Sequence, residues 1–289
     1  MTTGITIENI DGEEVHVVES GPADGPPLLL SGGLGEAWFD WAPTVELLEK
    51  RHRVINFDRP GLGLSPAAKA APSLRRDAAL LAGLAERAGA PVTVLAHSMA
   101  GFHAEALARL HPELVRAMVL VDPSYERDPH ARLRLSPLLV PAATGLGVVL
   151  GATRIARLIG PRGRKLVMRQ MSDRDEPVPA DVVRSVYGRG TVLGTALAEE
   201  FVYREEAADL AALRERRPFP KIPLVVITAL GDVKGEDKIG EWIENHRRLA
   251  DMSPYGSQLE LRDCKHMVTL DRPDAVADAV ARVLAQDTP

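Results

Sequence analysis

The feature that most constrains the fold is the alternation of short apolar or β-branched runs with longer helical patterns. Apolar runs end at Leu30, Phe57, Ala96 and Val121, and helical periodicity separates several of them. A chain that alternates in this way builds βαβ units, in which parallel strands form a sheet and helices cover its faces. The pattern therefore predicts an α/β protein with a mostly parallel sheet.

The first strands differ from this scheme, because residues 4–10 and 14–20 are joined at Asp11-Gly12, a dipeptide that favours a tight hairpin turn. A long stretch, 125–217, lacks convincing strands and is rich in short helical patterns. Strand and helix alternation then resumes. We expect residues 1–124 and 218–289 to form one core, with 125–217 inserted as a helical cap.

Composition restricts the class of protein. The chain of 289 residues is 45% hydrophobic and 26% charged, the balance of a globular protein. A net charge of -5 gives no general attraction to polyanions, so no nucleic acid partner is expected. The single cysteine, Cys264, permits no intrachain disulfide, and the acidic first residues do not match a signal peptide. These observations favour a cytoplasmic protein and leave its oligomeric state open.

One uncharged stretch, 135–153, approaches the length of a membrane span. Pro137, Pro141, Gly145, Gly147 and Gly151 break it into short pieces, and a dense run of large aliphatic residues is missing. We predict a lid helix here and no stable membrane insertion.

The sharpest local motif is Ala96-His97-Ser98-Met99-Ala100-Gly101, which lies between a predicted strand and a predicted helix. A serine on such a strained turn has its hydroxyl exposed above the sheet, and small residues two positions away let strand and helix approach closely. The usual pattern has glycine at both flanks, whereas this chain has Ala96 and Ala100. The motif predicts Ser98 as a nucleophile; a helix N-cap serine is the alternative.

A nucleophilic serine needs a base, and His266 is the candidate. It follows the last predicted strand and precedes Asp271-Arg272-Pro273, which places it on a loop at the same sheet edge as Ser98. The other histidines lack this position, and the side chain of His97 is expected to point away from the site.

Two aspartates could orient the base. Asp122 ends the apolar run 119–121, and Asp232 follows the next strand. Apolar neighbours favour Asp122, because a carboxylate that orients an imidazole gains from the exclusion of water. Asp232 remains the alternative acid.

The oxyanion of an acyl-transfer intermediate needs two N–H donors. Met99 directly follows the nucleophile, and the glycine-rich loop 31–35 offers Gly33. A dinucleotide site is not supported, since the required G-x-G-x-x-G before a helix is absent. No cluster has metal-site spacing, so neither a metal nor another cofactor is predicted.

Four segments together resemble the α/β-hydrolase superfamily with a helical cap, across nearly the whole chain. Residues 31–35 resemble the family's oxyanion loop, 57–65 (FDRPGLGLS) its D-x-x-G-x-G-x-S segment, 96–101 its nucleophile elbow, and 265–273 its Gly-His loop. Ser31, Ala96, Ala100 and Lys265 depart from the family pattern. The resemblance implies an eight-stranded, mostly parallel sheet flanked by helices, and an acid after the sixth or the seventh strand.

The resemblance also implies chemistry. A serine rather than an aspartate nucleophile indicates acyl transfer to water, with hydrolysis of a carboxylic ester as the first expectation. Cleavage of a C–C bond, lactone opening, peracid formation and a catalytically weak ligand-binding protein are the alternatives. The small-molecule substrate should be lipophilic, in a pocket between sheet edge and cap. Its predicted lining is Leu34, Trp38, Leu138, Leu139, Val140 and Met267.

Overall fold

The computed structural model describes residues 4–127, 129 and 134–286. The described strands are β1 (Gly4–Ile10), β2 (Glu13–Ser20), β3 (Pro27–Ser31), β4 (Arg53–Phe57), β5 (Val92–His97), β6 (Val115–Val121), β7 (Leu224–Ala229) and β8 (Gly256–Leu261). The described helices are α1 (Ala42–Leu48), α2 (Leu74–Arg87), α3 (Ala100–Leu110), α4 (Ser136–Ala152), α5 (Ala156–Met171), α6 (Ala180–Tyr187), α7 (Gly190–Arg216), α8 (Glu236–Ala250), α9 (Val268–Asp271) and α10 (Pro273–Ala285).

The strands form one eight-stranded sheet in the order β1-β2-β4-β3-β5-β6-β7-β8. The pairs β1–β2 and β2–β4 are antiparallel, and all other pairs are parallel. Asp11 and Gly12 have φ of 49° and 84°, the positive values that a tight hairpin turn requires. The predicted α/β fold with a mostly parallel sheet is confirmed.

Both faces of the sheet are covered, because successive side chains along a strand point to opposite faces. On one face Leu29 and Val94 belong to a core with Leu84 of α2 and Leu107 of α3. On the other face Leu28, Leu30 and Leu95 belong to a core with α1 and α10. Burial on both sides explains why these strands lack alternation of polar and apolar residues.

Four helices, α4 to α7, lie between β6 and β7 in the chain. Glycines allow α4 and α7 to cross closely: a Cβ at Gly147 would lie 2.5 Å from the carbonyl oxygen of Gly190 and 2.9 Å from the Cα of Gly194. Helix α4 runs through the breaks noted in 135–153: Pro137 lies in its first turn, where proline is tolerated, and Pro141 lies inside the helix. Residues 128 and 130–133 of the predicted cap lie outside the described residues.

In the described part of the chain, no single helix combines the length and hydropathy needed to cross a bilayer. Only α4 and α5 taken together reach that threshold, and they are bent by 116° relative to each other.

Candidate active site

Ser98 lies on the sharp turn between β5 and α3. Its φ is 53°, in the left-handed region that residues with a side chain rarely occupy. The strand and helix pack tightly beneath it, because Ala96 and Ala100 are both fully buried and a Cβ at Gly101 would lie 3.0 Å from the Cβ of Pro123. Alanine is accommodated at both positions where the family pattern has glycine, whereas a side chain at Gly101 would press against Pro123.

His266 and Asp122 are brought together at the carboxyl edge of the sheet. Asp122 directly follows β6, and its Oδ2 lies 2.6 Å from Nδ1 of His266. The other oxygen, Oδ1, accepts hydrogen bonds from the backbone N–H of Ala229 at 2.9 Å and from Nε1 of Trp242 at 3.2 Å. This arrangement fixes the proton of neutral His266 on Nδ1 and leaves Nε2 as the acceptor, as a general base requires.

Asp122 is held as a carboxylate. Burial alone would raise its pKa, but the hydrogen bond and charge of His266, with smaller contributions from His246 and the Ala229 N–H, lower the pKa below its ordinary value. Asp122 also has a positive φ of 41°. Strained backbone at the ends of two adjacent strands is typical of a functional site.

The alternative acid, Asp232, is exposed on the loop after β7. It lines a cavity of about 630 Å³ that also contacts Asp122, Trp242 and His266. The Nδ1 partner of His266 is nevertheless Asp122. The geometry therefore favours the first of the two predicted acids.

The predicted oxyanion loop passes directly over the nucleophile. A Cβ at Gly33 would lie 3.0 Å from the Cβ of Ser98, so a glycine is needed for this approach. The backbone N–H of Gly33, however, donates to Oε2 of Glu36 at 2.7 Å. Gly33 thus lies beside Ser98, as predicted, but its N–H already donates to a carboxylate of the same loop.

The second predicted donor, Met99, precedes α3. Its side chain belongs to a buried cluster with Phe102, and the half-buried Leu34 packs against that cluster. Amides at the start of a helix have no acceptor within the helix. Of the two predicted donors, the Met99 N–H is the one that is not engaged by a carboxylate.

Glu36 and His97 form a buried pair beneath the site that sequence analysis missed. Nδ1 of His97 lies 2.6 Å from Oε1 of Glu36, and its Nε2 lies 2.9 Å from the backbone oxygen of His266. The rings of His97 and His266 have centroids 4.6 Å apart. The sequence predicted a His97 side chain that points away from the site; in the structure, this side chain binds the loop that carries the base.

The pair is ionised. Burial alone would lower the pKa of His97, but the charge and hydrogen bond of Glu36 raise it to about 9. Burial would raise the pKa of Glu36, yet the charge and hydrogen bond of His97 and the Gly33 N–H lower it. His97 is therefore an imidazolium that donates from both ring nitrogens. The only sequence signal for this pair is a charged residue inside an otherwise apolar, glycine-rich loop.

A second buried pair holds the same loop from the cap side. Arg59 donates to the backbone oxygens of Gly32 and, at 2.7 Å, Gly33, and it pairs with Glu199 of α7 at 2.8 Å. Glu199 also accepts from the N–H of Gly35 at 3.0 Å. Helix α7 is thereby linked to the loop that faces Ser98.

The predicted pocket residues are dispersed. Leu138 is 72% exposed on the outer side of α4, and Val140 packs with Ala198 and Val202 between α4 and α7. The prediction that both residues line one pocket is therefore wrong, because Val140 lies on the face of α4 turned toward α7 and Leu138 lies on the opposite face. Leu139 is half-buried on α4.

Trp38 and Met267 lie near the site but pack elsewhere. The Trp38 ring meets His16 edge-on at 4.9 Å and lines a separate cavity with Phe39 and Val45. Met267 is buried with Met168 of α5 and Leu270. Leu34 packs against the buried cluster that contains Met99, the residue directly after Ser98.

One group in the described residues has the spacing of metal ligands: Asp77, His103 and Glu206, all buried. Nε2 of His103 lies 2.8 Å from Glu206, and Arg76 binds both oxygens of Asp77 at 2.8 and 2.9 Å. Because Asp77 is already bound by the guanidinium of Arg76, we interpret these three residues as an electrostatic contact that links α2, α3 and α7. The prediction that no metal or cofactor takes part stays a prediction.

Comparison with known proteins identifies the family. The family model described as "Alpha/beta hydrolase family" matches residues 28–279. The chain belongs to this family. Among curated relatives, (E)-2-((N-methylformamido)methylene)succinate hydrolase of Acinetobacter baylyi is 26% identical over 280 residues, 95% of either chain.

Solved structures agree on the α/β-hydrolase fold. The enol-lactonase of Burkholderia xenovorans has a TM-score of 0.69 and 25% identity, covering 97% of this chain and 100% of that one. A thermophilic esterase of Thermogutta terrifontis has a TM-score of 0.66 and 21% identity, covering 98% of each chain. The two solved structures are thus named as a lactonase and an esterase and share this fold.

Proposed function

We propose that this α/β hydrolase cleaves an acyl bond by nucleophilic catalysis, with Ser98 as nucleophile, His266 as base and Asp122 as the acid that orients it. The observation that carries the proposal is the 2.6 Å contact between His266 Nδ1 and Asp122 Oδ2 at the sheet edge where Ser98 has a φ of 53°. The proposed nucleophile follows β5, the orienting carboxylate follows β6 and the base follows β8, so all three come from the carboxyl ends of parallel strands.

The reaction follows from these roles. His266 Nε2 takes the proton of Ser98 as Oγ attacks the carbonyl carbon, and the resulting imidazolium is stabilised by Asp122. His266 then protonates the leaving group, which leaves an acyl-serine. Water, deprotonated by His266, attacks the acyl-serine and releases the acid and Ser98.

The oxyanion is stabilised by the Met99 N–H and, as second donor, by Gly33. Because the Gly33 N–H donates to Glu36 at 2.7 Å in the free protein, its use as a donor requires Glu36 to release it. The imidazolium of His97, which binds the other oxygen of Glu36 at 2.6 Å, keeps that carboxylate paired when the Gly33 N–H is released. We propose that the oxyanion competes with Glu36 for this one N–H.

A carboxylic ester of a lipophilic acid is the first candidate substrate, bound between the sheet edge and the cap helices α4 to α7. A lactone or an amide is the second candidate. It is favoured by the enol-lactonase and by the curated relative, whose named substrate contains an N-methylformamido group.

The test uses a fluorophosphonate probe, which labels activated serines, followed by p-nitrophenyl esters of graded length, an enol-lactone and an N-formyl amide. Labelling of the wild type should disappear in Ser98→Ala and His266→Ala. Asp122→Asn should lower kcat by ~10⁴-fold, as loss of a triad aspartate does in serine proteases, whereas the matched Asp232→Asn should leave it nearly unchanged.

Two outcomes would contradict the proposal. Wild-type protein that folds but is never labelled would lack an activated serine, and ligand-dependent stabilisation without product would then favour a binding protein. A larger loss in Asp232→Asn than in Asp122→Asn would move the acid to the loop after β7.

A further inference from the structure

Helix α4 presents an apolar face to the surroundings instead of a polar one. None of its 17 residues is charged, and only Val140, Ala143 and Gly147 are buried. The helix of a globular protein normally has polar residues opposite its buried stripe. Here the other side has large apolar side chains that are 47 to 72% exposed: Leu138, Leu146, Val148 and Val149.

Helix α5 extends this surface and adds positive charge. Its exposed apolar residues include Leu158 at 58% and Leu166 at 61%. Five exposed cations lie on it or at its start: Arg154, Arg157, Arg162, Lys165 and Arg169. Since α4 and α5 are bent by 116° relative to each other, the two helices form a corner, which we call the α4–α5 corner.

The charge of this corner opposes that of the rest of the chain. Residues 129–172 contain no Asp or Glu, although the whole chain has 40 acidic and 35 basic residues. Within the described residues, Arg134 pairs with Asp209, and Arg164 pairs with Asp40 and Glu176. No ion pair involves the five exposed cations in that same part of the chain, so their charge is available to an external anion.

A groove of about 620 Å³ lies against these cations, between α5 and α6. Arg157, Arg162, Lys165 and Arg169 line it, together with Arg174 and Arg184. Of its two acids, Asp175 and Glu176, the second is bound by Arg164 at 3.0 Å. A groove lined by cations beside an exposed apolar face is complementary to the surface of a lipid bilayer, where phosphate groups lie above the hydrocarbon of the acyl chains.

We propose that the α4–α5 corner docks on the surface of an anionic phospholipid bilayer. The apolar side chains of α4 and α5 enter the boundary between head groups and acyl chains, and the cations bind lipid phosphates, as in helices that lie in the plane of an interface. A second copy of the chain is a poorer occupant, because a two-fold contact through this corner would place cations against cations. The inference does not depend on the chemistry of Ser98.

The experiment is co-sedimentation of the full chain with phosphatidylcholine vesicles and with equimolar phosphatidylcholine and phosphatidylglycerol vesicles, at low and high salt. Binding should require phosphatidylglycerol and weaken with salt, because surface charges are screened. Each cation near an anionic surface contributes about fivefold to partitioning, so Arg157→Gln/Arg162→Gln/Lys165→Gln should lower the partition coefficient by roughly 100-fold.

A matched variant removes the same charge elsewhere. Lys50, Arg51 and Lys221 are exposed cations outside the corner, and Lys50→Gln/Arg51→Gln/Lys221→Gln should retain binding. Leu138→Ser/Leu146→Ser/Val149→Ser should also lose binding while its unfolding midpoint stays near that of the wild type, because the replaced side chains are exposed. Light scattering reports the oligomeric state of each variant.

Three results would overturn the proposal. The wild type could fail to sediment with anionic vesicles at low salt, or the matched variant could lose binding as strongly as the corner variant. The third result is a wild-type dimer in light scattering and a monomer for the Leu138→Ser/Leu146→Ser/Val149→Ser variant, which would identify a second copy of the chain as the occupant.

Discussion

At the scale of single residues, the site combines strain with ionised pairs. Ser98 and Asp122 both have positive φ at adjacent strand ends, and such backbone costs ~1–3 kcal/mol for each residue unless its surroundings enforce it. The enforcing contacts are visible: the N–H of Ser98 donates to Val121 at 3.1 Å, and that of Asp122 donates to Ile227 at 2.8 Å. Contacts with the neighbouring strands therefore hold the strained backbone that the local motif requires at these two positions.

The Glu36–His97 pair predicts a pH dependence of stability. The pKa of His97 is raised in the folded protein from an ordinary 6.5 to about 9, so its contribution is complete below pH 6.5 and is lost as the pH rises through about 9. Compared with Glu36→Gln/His97→Asn, the wild type should lose on the order of 3 kcal/mol of unfolding free energy over this interval.

Urea unfolding at a series of pH values measures this difference. The control His111→Asn removes a half-exposed histidine and should leave the pH profile unchanged. The pKa of Glu36 is lowered below 4.5, so its contribution is present above pH 4.5 and declines as the pH falls further. Parallel wild-type and double-variant profiles from pH 6.5 to 9 would contradict an ionised pair.

At the scale of elements, α7 connects the cap helices to the catalytic loop. Glu199 of α7 holds Arg59 and the N–H of Gly35, while Gly190 and Gly194 allow α4 to pack against the same helix. Its hydrophobic residues are distributed over several faces because it contacts α3, α4, α5 and α6. A helix surrounded in this way has no single apolar stripe, which explains why the sequence pattern within 190–216 gave only short helical segments.

Glu199→Gln is predicted to destabilise the protein and to weaken catalysis. Arg59 is 3% exposed, and the loss of its charged partner should lower the free energy of unfolding by ~3 kcal/mol. The loop 32–35 also loses its fixed position, so kcat should fall more than KM rises. Glu200→Gln, an exposed neighbour on α7, is the control and should change neither quantity appreciably; equal effects of the two variants would exclude a role for the buried pair.

The crossing of α4 and α7 predicts opposite effects for two glycines of α4. Gly147→Ala places a Cβ 2.5 Å from the oxygen of Gly190, and this overpacking should cost ~1–3 kcal/mol. Gly145 has no atom within 4 Å of the corresponding position, so Gly145→Ala should stabilise the helix by up to ~1 kcal/mol. Thermal unfolding of both variants measures this, and destabilisation by Gly145→Ala would show that its outer face is covered.

At the scale of the whole molecule, buried charges join cap helices to core. Besides Arg59 with Glu199, Arg164 of α5 pairs with Asp40, and Glu206 of α7 lies 2.8 Å from His103. The side chains of these pairs are nearly inaccessible to water. Separating the cap helices from the core would leave a charged side chain without its partner at each contact, which is unfavourable. The cap helices are therefore expected to unfold together with the core.

Coincident unfolding transitions are the test of this coupling. The three tryptophans, Trp38, Trp41 and Trp242, all lie outside α4 to α7, whereas far-ultraviolet circular dichroism also reports α7, a helix of 27 residues. Fluorescence and dichroism should give the same urea midpoint. A dichroism transition that precedes the fluorescence transition would show that the cap helices melt separately.

The sequence alone determined what depends on local pattern. Alternating strand and helix periodicities predicted the α/β fold, and Asp11-Gly12 predicted the first hairpin. The strand–serine–helix motif and the position of His266 after the last strand identified two residues of the candidate site, because carboxyl ends of parallel strands share one edge. Asp122 and Asp232 both followed strands at that edge; apolar neighbours favoured Asp122, and the contact with Nδ1 of His266 supports that choice.

Tertiary structure alone decided the contacts between distant residues. Glu36 and His97 are 61 positions apart, and Arg59 and Glu199 are 140 apart, so no local pattern could pair them or show that Gly33 donates to Glu36. The stretch 135–153 likewise predicted a lid helix, but hydropathy does not specify which face of it a neighbouring helix covers. Helix α7 covers one side of α4 and leaves Leu138 and Val148 exposed, since packing depends on what the fold places beside a residue.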